Sequence, residues 1–128
     1  MTSYISAPTI IINNQTIKIK PNSCKITLGL GETKVRAESA GGGSVSTITA
    51  IDVATKIGKV AFTLEPSAKA VDLVRGWKSN GNNNVVQTPD SKTGFFITFT
   101  NAALVNDPEI GLSADGEIPC EFQSDPAS

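Results

Sequence analysis

Alternating hydrophobic and polar positions dominate residues 24–64 and predict two long strand-like arms that fold back on one another. In residues 24–30 every second side chain is apolar, and residues 34–38 continue the alternation after a break at Gly31. The returning arm, residues 58–64, places Val60, Phe62 and Leu64 on one face. The pattern therefore predicts an extended hairpin over about residues 31–57, with its first arm rooted at residue 24.

The tip of this hairpin contains Gly41, Gly42 and Gly43 and is followed by a stretch of Val, Ser, Thr and Ile. Two interpretations fit this composition. The tip can be a flexible glycine loop, since connections longer than about 12–15 residues are usually functional or disordered. It can also be an arm that becomes ordered against another subunit. The second interpretation is attractive because the arm carries four branched apolar side chains that need a dry environment. They are Val45, Ile48, Ile51 and Val53.

A single helix is predicted over residues 65–80, with Ser67 as its N-cap and Gly81 just beyond its end. Its apolar side chains recur at helical spacing and form a core-facing stripe. The stripe consists of Ala70, Leu73, Val74 and Trp77, and the polar side carries Lys69, Asp72, Arg75 and Lys78. Helix-to-sheet packing is therefore the expected role of Trp77, the only tryptophan.

The remaining chain reads as short strands separated by turns. Strands are expected at residues 9–13, 16–20, 85–88, 94–100 and 117–122, with turns at 82–84 and 114–116. In strand 94–100, Phe95, Ile97 and Phe99 share the core face, and Pro119 indicates an edge position or a bulge. Residues 101–108 should turn irregularly, although residues 102–105 can bury a short piece, and residues 123–128 should form a loose acidic tail. Together these elements predict one mainly β domain over residues 1–128, a β-sandwich or barrel flanked by the helix at about 67–80.

The net charge of −1 conceals a division between the two halves of the chain. Residues 1–64 carry seven Lys/Arg and three Asp/Glu, whereas residues 65–128 carry four and nine. This asymmetry can simply solvate the surface, or it can direct head-to-tail contact between identical subunits. It argues against a protein that grips nucleic-acid phosphates. No apolar run of about 18 residues suggests membrane insertion, and the N-terminus lacks a signal-peptide pattern, so folding in a cytoplasm is expected.

Catalytic and metal-binding patterns are weak. The chain contains no histidine, which removes the commonest general base and metal ligand. The Gly41–43 run lacks the Lys-Ser/Thr and the helix of a phosphate loop. The acidic pairs near Asp107 and Asp115 fall short of a calcium loop. We therefore expect no enzyme activity, no cofactor and no metal.

Cys24 and Cys120 lie far apart in sequence and in no zinc-like spacing. Each falls on the apolar side of its strand, so two buried, reduced thiols are the main expectation. A disulfide between neighbouring strands, within or between subunits, is the alternative.

The order of these parts resembles that of bacteriophage tail tube proteins. The resemblance rests on the long glycine-tipped hairpin, on the helix that follows the corner at residues 64–66, and above all on the ending. There, residues 106–109 (NDPE) are followed by 114–117 (ADGE), a short strand and Asp125-Pro126. The likeness spans nearly the whole chain. Its motifs are typical of a fold, not of catalysis, and the size is similar to that of the tubes of contractile tails. Type VI secretion tube proteins have the same fold.

The resemblance implies a structural subunit of a virion tail, assembled in the host cytoplasm, whose hexameric rings stack into a tube through which DNA passes. Tail sheath, baseplate and tape-measure proteins would be partners. The hairpin tip would contact the next ring, through Glu38, Gly41, Gly42, Gly43, Val45 and Ile48. Lumen candidates are Glu117 and Glu121, with Asp107 and Glu109 less favoured; outer solvation is the alternative for all four. The sheath-facing candidates are Lys69, Asp72 and Lys78, and Cys24 and Cys120 are a possible crosslink.

Two features run against the resemblance or compete with it. Lys25 and Lys59 would place positive charge in the bore if their faces point inward. A carbohydrate- or surface-binding β-sandwich is an alternative function, but such binders display stacking aromatics, and the chain offers mainly Trp77 and Tyr4. An exported tube protein of the type VI kind is a further alternative with the same fold.

Overall fold

The computed structural model describes residues 9–89 and 96–128. Tyr4 and Phe95, which figured in the sequence predictions, lie outside the described residues. The elements, in chain order, are strands β1 (Thr9–Ile12), β2 (Gln15–Lys18), β3 (Lys25–Thr27), β4 (Glu32–Gly41) and β5 (Ser44–Asp52), a 3-10 turn (Val53–Thr55), β6 (Gly58–Leu64), helix α1 (Ala68–Ser79), β7 (Asn84–Pro89), β8 (Phe96–Leu104) and β9 (Ile118–Ser124). The prediction of a mainly β fold with one helix is confirmed for the described part of the chain.

Seven strands form one antiparallel sheet in the order β2-β1-β7-β8-β9-β6-β3, and β4 pairs only with β5. Strand β8 joins the two halves of the large sheet, because it pairs with β7 along most of its length and with β9 at its end. Among the described strands, β2 and β3 remain as edges and the sheet does not close into a barrel. The described strands thus form an open antiparallel sheet with one helix, and not the closed barrel that was one of the two predicted forms.

The core lies where α1 covers the inner face of this sheet. Trp77 meets Phe122 at a ring-centroid distance of 5.7 Å and Phe62 at 6.1 Å, both edge-to-face, and the two phenylalanines stack at 6.0 Å. Ser67 caps the helix as expected, since its Oγ accepts from the Ala70 N–H at 3.0 Å. Trp77 is only 4% exposed, so the predicted helix-to-sheet packing is found.

The alternating segment that begins at residue 24 forms a shorter strand than the sequence pattern suggested. Strand β3 covers only Lys25–Thr27, and Gly29 and Gly31 have φ values of +85° and +86°. A β-carbon at Gly29 would lie 2.9 Å from the backbone nitrogen of Gly58, so the two segments pass too closely for a side chain. The alternation therefore stops at this crossing, and Leu30 is 72% exposed instead of lying on a buried face.

Strand β8 runs further than expected, because a bulge carries it past Thr100. Asn101 adopts a φ of +52°, a conformation that asparagine tolerates, and the pairing with β7 shifts by one residue there. Ala102 and Leu104 are buried beyond the bulge. The prediction of an irregular turn from residue 101 is therefore wrong as far as residue 104, whereas the buried short piece expected within residues 102–105 is found.

The segment after β9 is also better ordered than a loose tail. The N–H of Asp125 donates to the Thr100 carbonyl at 3.1 Å, and Thr98 and Ser128 exchange two backbone hydrogen bonds. The Ala127 N–H donates to the Leu28 carbonyl at 2.8 Å. These bonds attach residues 125–128 between β8 and the root of the hairpin, which corrects the prediction for residues 123–128.

Asn84 was expected in a turn but begins β7 and is completely buried. Pro119 lies in β9, which is not an edge strand of the sheet. Beyond Leu104, however, β8 no longer pairs with β9, and the side chain of Asn106 takes its place. Asn106 Nδ2 donates to the Pro119 carbonyl at 2.8 Å, and the Glu121 N–H donates to Asn106 Oδ1 at 3.0 Å. Pro119 therefore occupies a local edge, where its missing N–H is not needed.

Candidate functional site

The hairpin of β4 and β5, termed the arm below, extends from the large sheet without sharing its hydrogen bonds. Its turn is tight: the two central glycines, Gly42 and Gly43, have φ values of +61° and +82°, as a type I′ hairpin turn requires. Ser44 Oγ donates to the Gly41 carbonyl at 2.8 Å and closes the turn. The glycine run therefore forms a defined reversal, and not a long flexible loop.

The two faces of the arm differ completely in charge. The cross-strand register pairs odd residues with odd and even with even, as in Val35 with Thr49 and Lys34 with Ala50. The uncharged face therefore contains Thr33, Val35, Ala37, Ser39, Val45, Thr47, Thr49 and Ile51. The ion-paired face contains Glu32, Lys34, Arg36, Glu38, Ser46, Ile48, Ala50 and Asp52. All five charged residues of the arm thus lie on one side.

Ion pairs neutralise most of the charged side. Lys34 Nζ lies 3.3 Å from Asp52 Oδ2, and Arg36 Nη2 lies 2.6 Å from Glu38 Oε1. The uncharged face has no comparable partner in the subunit: Val35 and Val45 are 65% and 66% exposed. An isolated two-stranded ribbon is at best marginally stable in water, so packing on this face would be needed to hold the arm firmly.

The hairpin-tip candidates are brought together on the arm, but on different faces. Gly41, Gly42 and Gly43 form the turn, and Val45 lies on the uncharged face. Glu38 and Ile48 lie on the ion-paired face, where Glu38 already binds Arg36. The branched side chains that needed a dry environment remain exposed in the subunit, as the sequence suggested.

A second exposed apolar feature lies at the other end of the sheet. Gly58, next to the arm, pairs with Ser124, whereas Leu64 pairs with Ile118, which follows the loop of residues 105–117. The seven residues of β6 therefore separate the arm from this loop by about 20 Å, at the rise of a strand. In the loop, Leu112 is 91% exposed, more than any other large apolar side chain among residues 9–89 and 96–128.

The loop is held in shape by backbone and lysine contacts. Lys20 Nζ donates to the Gly116 carbonyl at 2.8 Å and lies 3.8 Å from Glu117 Oε1. The Gly111 N–H donates to the Glu117 carbonyl at 3.4 Å. The loop itself carries Asp107, Glu109, Asp115 and Glu117 and no basic residue, so it is termed the acidic loop, although Lys20 contacts it from outside.

The two lumen candidates share a face with lysines. Lys25 pairs with Ala61 and Ala61 with Glu121, so these three residues form one row across β3, β6 and β9. Lys59 follows in the next outward row, between Thr27 and Gln123. Glu117 precedes β9 and lies beside Lys20. The face that carries Glu117 and Glu121 is therefore mixed in charge and does not form an acidic wall within one subunit.

The three sheath-facing candidates are exposed on α1, but they are not equivalent. Lys78 Nζ donates to the carbonyls of Leu104 and Asn106 at 3.0 and 3.4 Å. Lys78 therefore binds the backbone at the end of β8 and has a structural role. Lys69 lines a shallow groove between α1 and β2, and Asp72 lies one turn away on the solvent side. Lys69 and Asp72 are therefore the members of this group that remain free of such a structural role.

Both cysteines are free thiols in the structure. Phe62 pairs with Cys120, and Cys24 directly precedes β3, on the other side of β6. Two strand spacings, about 10 Å, therefore separate the strands of the two cysteines, more than a disulfide spans. Burial raises the pKa of Cys24, and it raises the pKa of Cys120 to about 12. A crosslink between subunits stays a prediction, for which the half-buried Cys24 is the more accessible thiol.

Other binding functions find little support in the described residues. The buried Trp77 cannot stack on a sugar, which weakens the carbohydrate-binding alternative. Across residues 9–89 and 96–128, no three potential metal-ligating side chains cluster. No helix in these ranges combines the length and apolar character of a membrane span.

Sequence reasoning missed the partition of the arm into two faces and the position of Leu112. The partition was visible as charges at residues 32, 34, 36, 38 and 52, all of them even. It became informative only with the cross-strand register, which aligns even residues with even. Leu112 gave no signal because a lone apolar residue in a turn-rich loop has no periodicity.

Comparison with known proteins supports the fold. No family model and no curated protein matches this sequence. Among solved structures, the tube-terminating cap of the anti-feeding prophage is similar over 100% of this chain and 91% of that chain, with a TM-score of 0.53 and 7% identity. Hcp1 from Flavobacterium johnsoniae is similar over 98% of this chain and 94% of that chain, with a TM-score of 0.45 and 14% identity. The chain thus shares its fold with the prophage tube cap, in agreement with the resemblance to tail tube proteins.

Proposed function

We propose that this chain is a non-catalytic structural subunit that assembles with its own copies into the tube of a contractile injection apparatus, such as a phage tail. The observation that carries the proposal is the arm: among the described strands, β4 and β5 pair only with one another, and the apolar side chains of Val35 and Val45 are about two-thirds exposed. The fold shared with a tube-terminating cap supports the same assignment.

The position of the arm favours head-to-tail assembly. The arm and the acidic loop of residues 105–117 lie at opposite ends of β6 and β9, so a contact between them in two copies is heterologous. A heterologous contact that does not close on itself along an axis generates a filament. This geometry supports head-to-tail stacking through the arms, and the resemblance to tail tubes implies that the stacked units are hexameric rings.

The bore and its cargo belong to the finer part of the proposal. In a phage tail, DNA would pass through the tube. Sheath, baseplate and tape-measure proteins would bind to the tube. Because Lys25 and Lys59 accompany Glu121 on one face, that face would give a mixed wall and would not repel phosphate strongly. If DNA passes, we expect another face, or the acidic loop with Asp107 and Glu109, to contribute most of the negative charge.

Negative-stain electron microscopy of the purified chain, with sedimentation velocity on the same sample, tests the proposal. Hollow tubes or rings of uniform width that sediment faster with increasing concentration are expected. A chain that stays monomeric at all concentrations, with and without a preformed tube end as a seed, contradicts self-assembly.

Deletion of residues 41–46 tests the role of the arm. Because the arm shares no hydrogen bonds with the large sheet, the variant should keep the circular dichroism and unfolding midpoint of the wild type and lose polymerisation. Asn82→Ala, in the exposed turn after α1, serves as the control and should assemble normally. Normal tubes from the deletion variant would exclude the arm as the assembly element.

Termination of a tube is a second candidate function, favoured by the likeness to the prophage cap. A cap would form rings and bind the end of a tube made of another protein, without stacking on itself. Rings that never elongate, but that bind the end of a tube from the same genome, would support this function over that of a shaft subunit.

A further inference from the structure

Two apolar surfaces are exposed in the described part of the subunit, and the base of one lies at the opposite end of β6 from the other. One is the uncharged face of the arm, on which Val35, Val45 and Ile51 are more than half exposed. The other is the tip of the acidic loop, with Leu112 as its apolar centre. They do not cover one another in the subunit, since Leu112 is 91% exposed and Val35 and Val45 are 65% and 66% exposed. A second copy can bring them together.

Charge selects which side of the arm can cover this loop. The loop carries four carboxylates, Asp107, Glu109, Asp115 and Glu117, of which Glu117 lies 3.8 Å from Lys20 Nζ. The ion-paired face carries three carboxylates, those of Glu32, Glu38 and Asp52, against two cations that are already paired to two of them. Placing that face on the loop would bring like charges together, which is unfavourable in a desolvated contact. The uncharged face brings no such repulsion.

We infer that the uncharged face of the arm packs onto the loop of residues 105–117 of a second copy, with Leu112 as the central contact. The ion-paired face then points outward to solvent. This inference rests on the proposed function and adds the side of the arm and the receiving surface. It also gives the charged residues of the arm a role, since they keep the outer side of the ribbon soluble once the inner side is covered.

The size of this contact explains why assembly would need a ring. Eight residues on each of two strands make a ribbon face of about 26 by 10 Å, so one contact buries roughly 500 Å² in total. Stable interfaces bury about 1,200–2,000 Å², so a single arm would bind weakly. Several arms acting together on a stacked ring would bind far more tightly, because each further contact is intramolecular.

Photocrosslinking from position 112 tests the inference. Leu112→p-benzoylphenylalanine keeps an apolar side chain at this exposed position, and the same substitution at Asn82 is the control. After irradiation of assembled protein, we expect a band of twice the subunit mass, with crosslinks mapped by mass spectrometry to odd-numbered residues 33–51 of the other copy. Crosslinks to even-numbered arm residues, crosslinks outside the arm, or no intermolecular band from an assembled sample overturn the inference.

A matched pair of charge variants provides the second readout. Thr49 and Ala50 are adjacent and exposed, and they lie opposite Val35 on the uncharged face and Lys34 on the ion-paired face, respectively. Thr49→Glu should raise the concentration needed for assembly roughly tenfold or more, whereas Ala50→Glu should leave it within about twofold. Equal effects overturn the inference while wild-type assembly still supports the proposed function. A wild type that never assembles overturns both.

Discussion

Asn13 and Asn84, at the starts of a turn and a strand, are joined by a 2.9 Å hydrogen bond in which Asn13 Nδ2 donates to Asn84 Oδ1. Asn84 Oδ1 also accepts from Asn80 Nδ2 at 3.1 Å. Asn84 Nδ2 donates to the carbonyls of Trp77 and Ala102 at 3.0 and 3.1 Å. One buried amide thus links the helix end, β7, β8 and the turn after β1.

Asn84→Ala should therefore lower the free energy of unfolding by about 3 kcal/mol, because it leaves several buried polar groups without partners. Asn83→Ala, at the exposed neighbouring position, is the control and should stay within about 0.5 kcal/mol of the wild type. Urea unfolding followed by circular dichroism measures both. A change below about 1 kcal/mol for Asn84→Ala would mean that water replaces the amide at little cost.

The aromatic cluster should dominate the stability of the core. Phe122 is completely buried and contacts both Phe62 and Trp77. Phe122→Ala should cost about 3–5 kcal/mol, the range for a large cavity in a packed core. Phe96→Ala is the matched control, because Phe96 is 52% exposed and should cost less than about 1 kcal/mol. Similar unfolding midpoints for the two variants would contradict this assignment of the core.

Two glycines should respond in opposite directions to alanine. A β-carbon at Gly116 would collide with the carbonyl oxygen of Gly111, so Gly116→Ala must distort the acidic loop and should cost about 1–3 kcal/mol. Gly76 lies within α1 with nothing in the way of a β-carbon, and Gly76→Ala should add about 0.5–1 kcal/mol. Thermal unfolding of the pair checks this, and a stable Gly116→Ala variant would show that the loop can rearrange.

The buried thiol of Cys120 should make stability fall at high pH. Burial raises the pKa of Cys120 to about 12, whereas the thiol of the unfolded chain titrates near its ordinary value. Between these two pKa values the unfolded chain has lost the proton and the folded chain retains it. The contribution to stability is therefore full below the unfolded pKa and is lost as pH rises towards the folded pKa, by up to about 1.4 kcal/mol per unit.

Urea unfolding between pH 8 and 10.5 measures this loss, with Cys120→Val as the control, since other groups also titrate in this range. The wild type should lose stability faster than the variant. Parallel curves for the two proteins would show that the Cys120 thiolate is tolerated inside the fold.

The sequence by itself determined the elements that local chemistry specifies. Alternation in residues 58–64 produced β6, helical spacing from Ala70 to Trp77 produced α1, and Ser67 marked the beginning of α1. The extended hairpin also followed from its alternating residues and its glycine turn. Each of these signals lies within a few residues along the chain, where periodicity, capping and turn preferences act.

The tertiary structure alone decided which parts meet. The close approach of Gly29 to Gly58 ends the alternating segment that begins at residue 24. The bulge at Asn101 lets β8 continue beyond the end that the sequence predicted. The register of β4 with β5 places all charges of the arm on one face. The pairing of β6 with β9 places the loop of Leu112 at the end of β6 that is remote from the base of the arm. These outcomes depend on backbone contacts between residues that are far apart in sequence. No local pattern of side chains encodes which of these residues come close together.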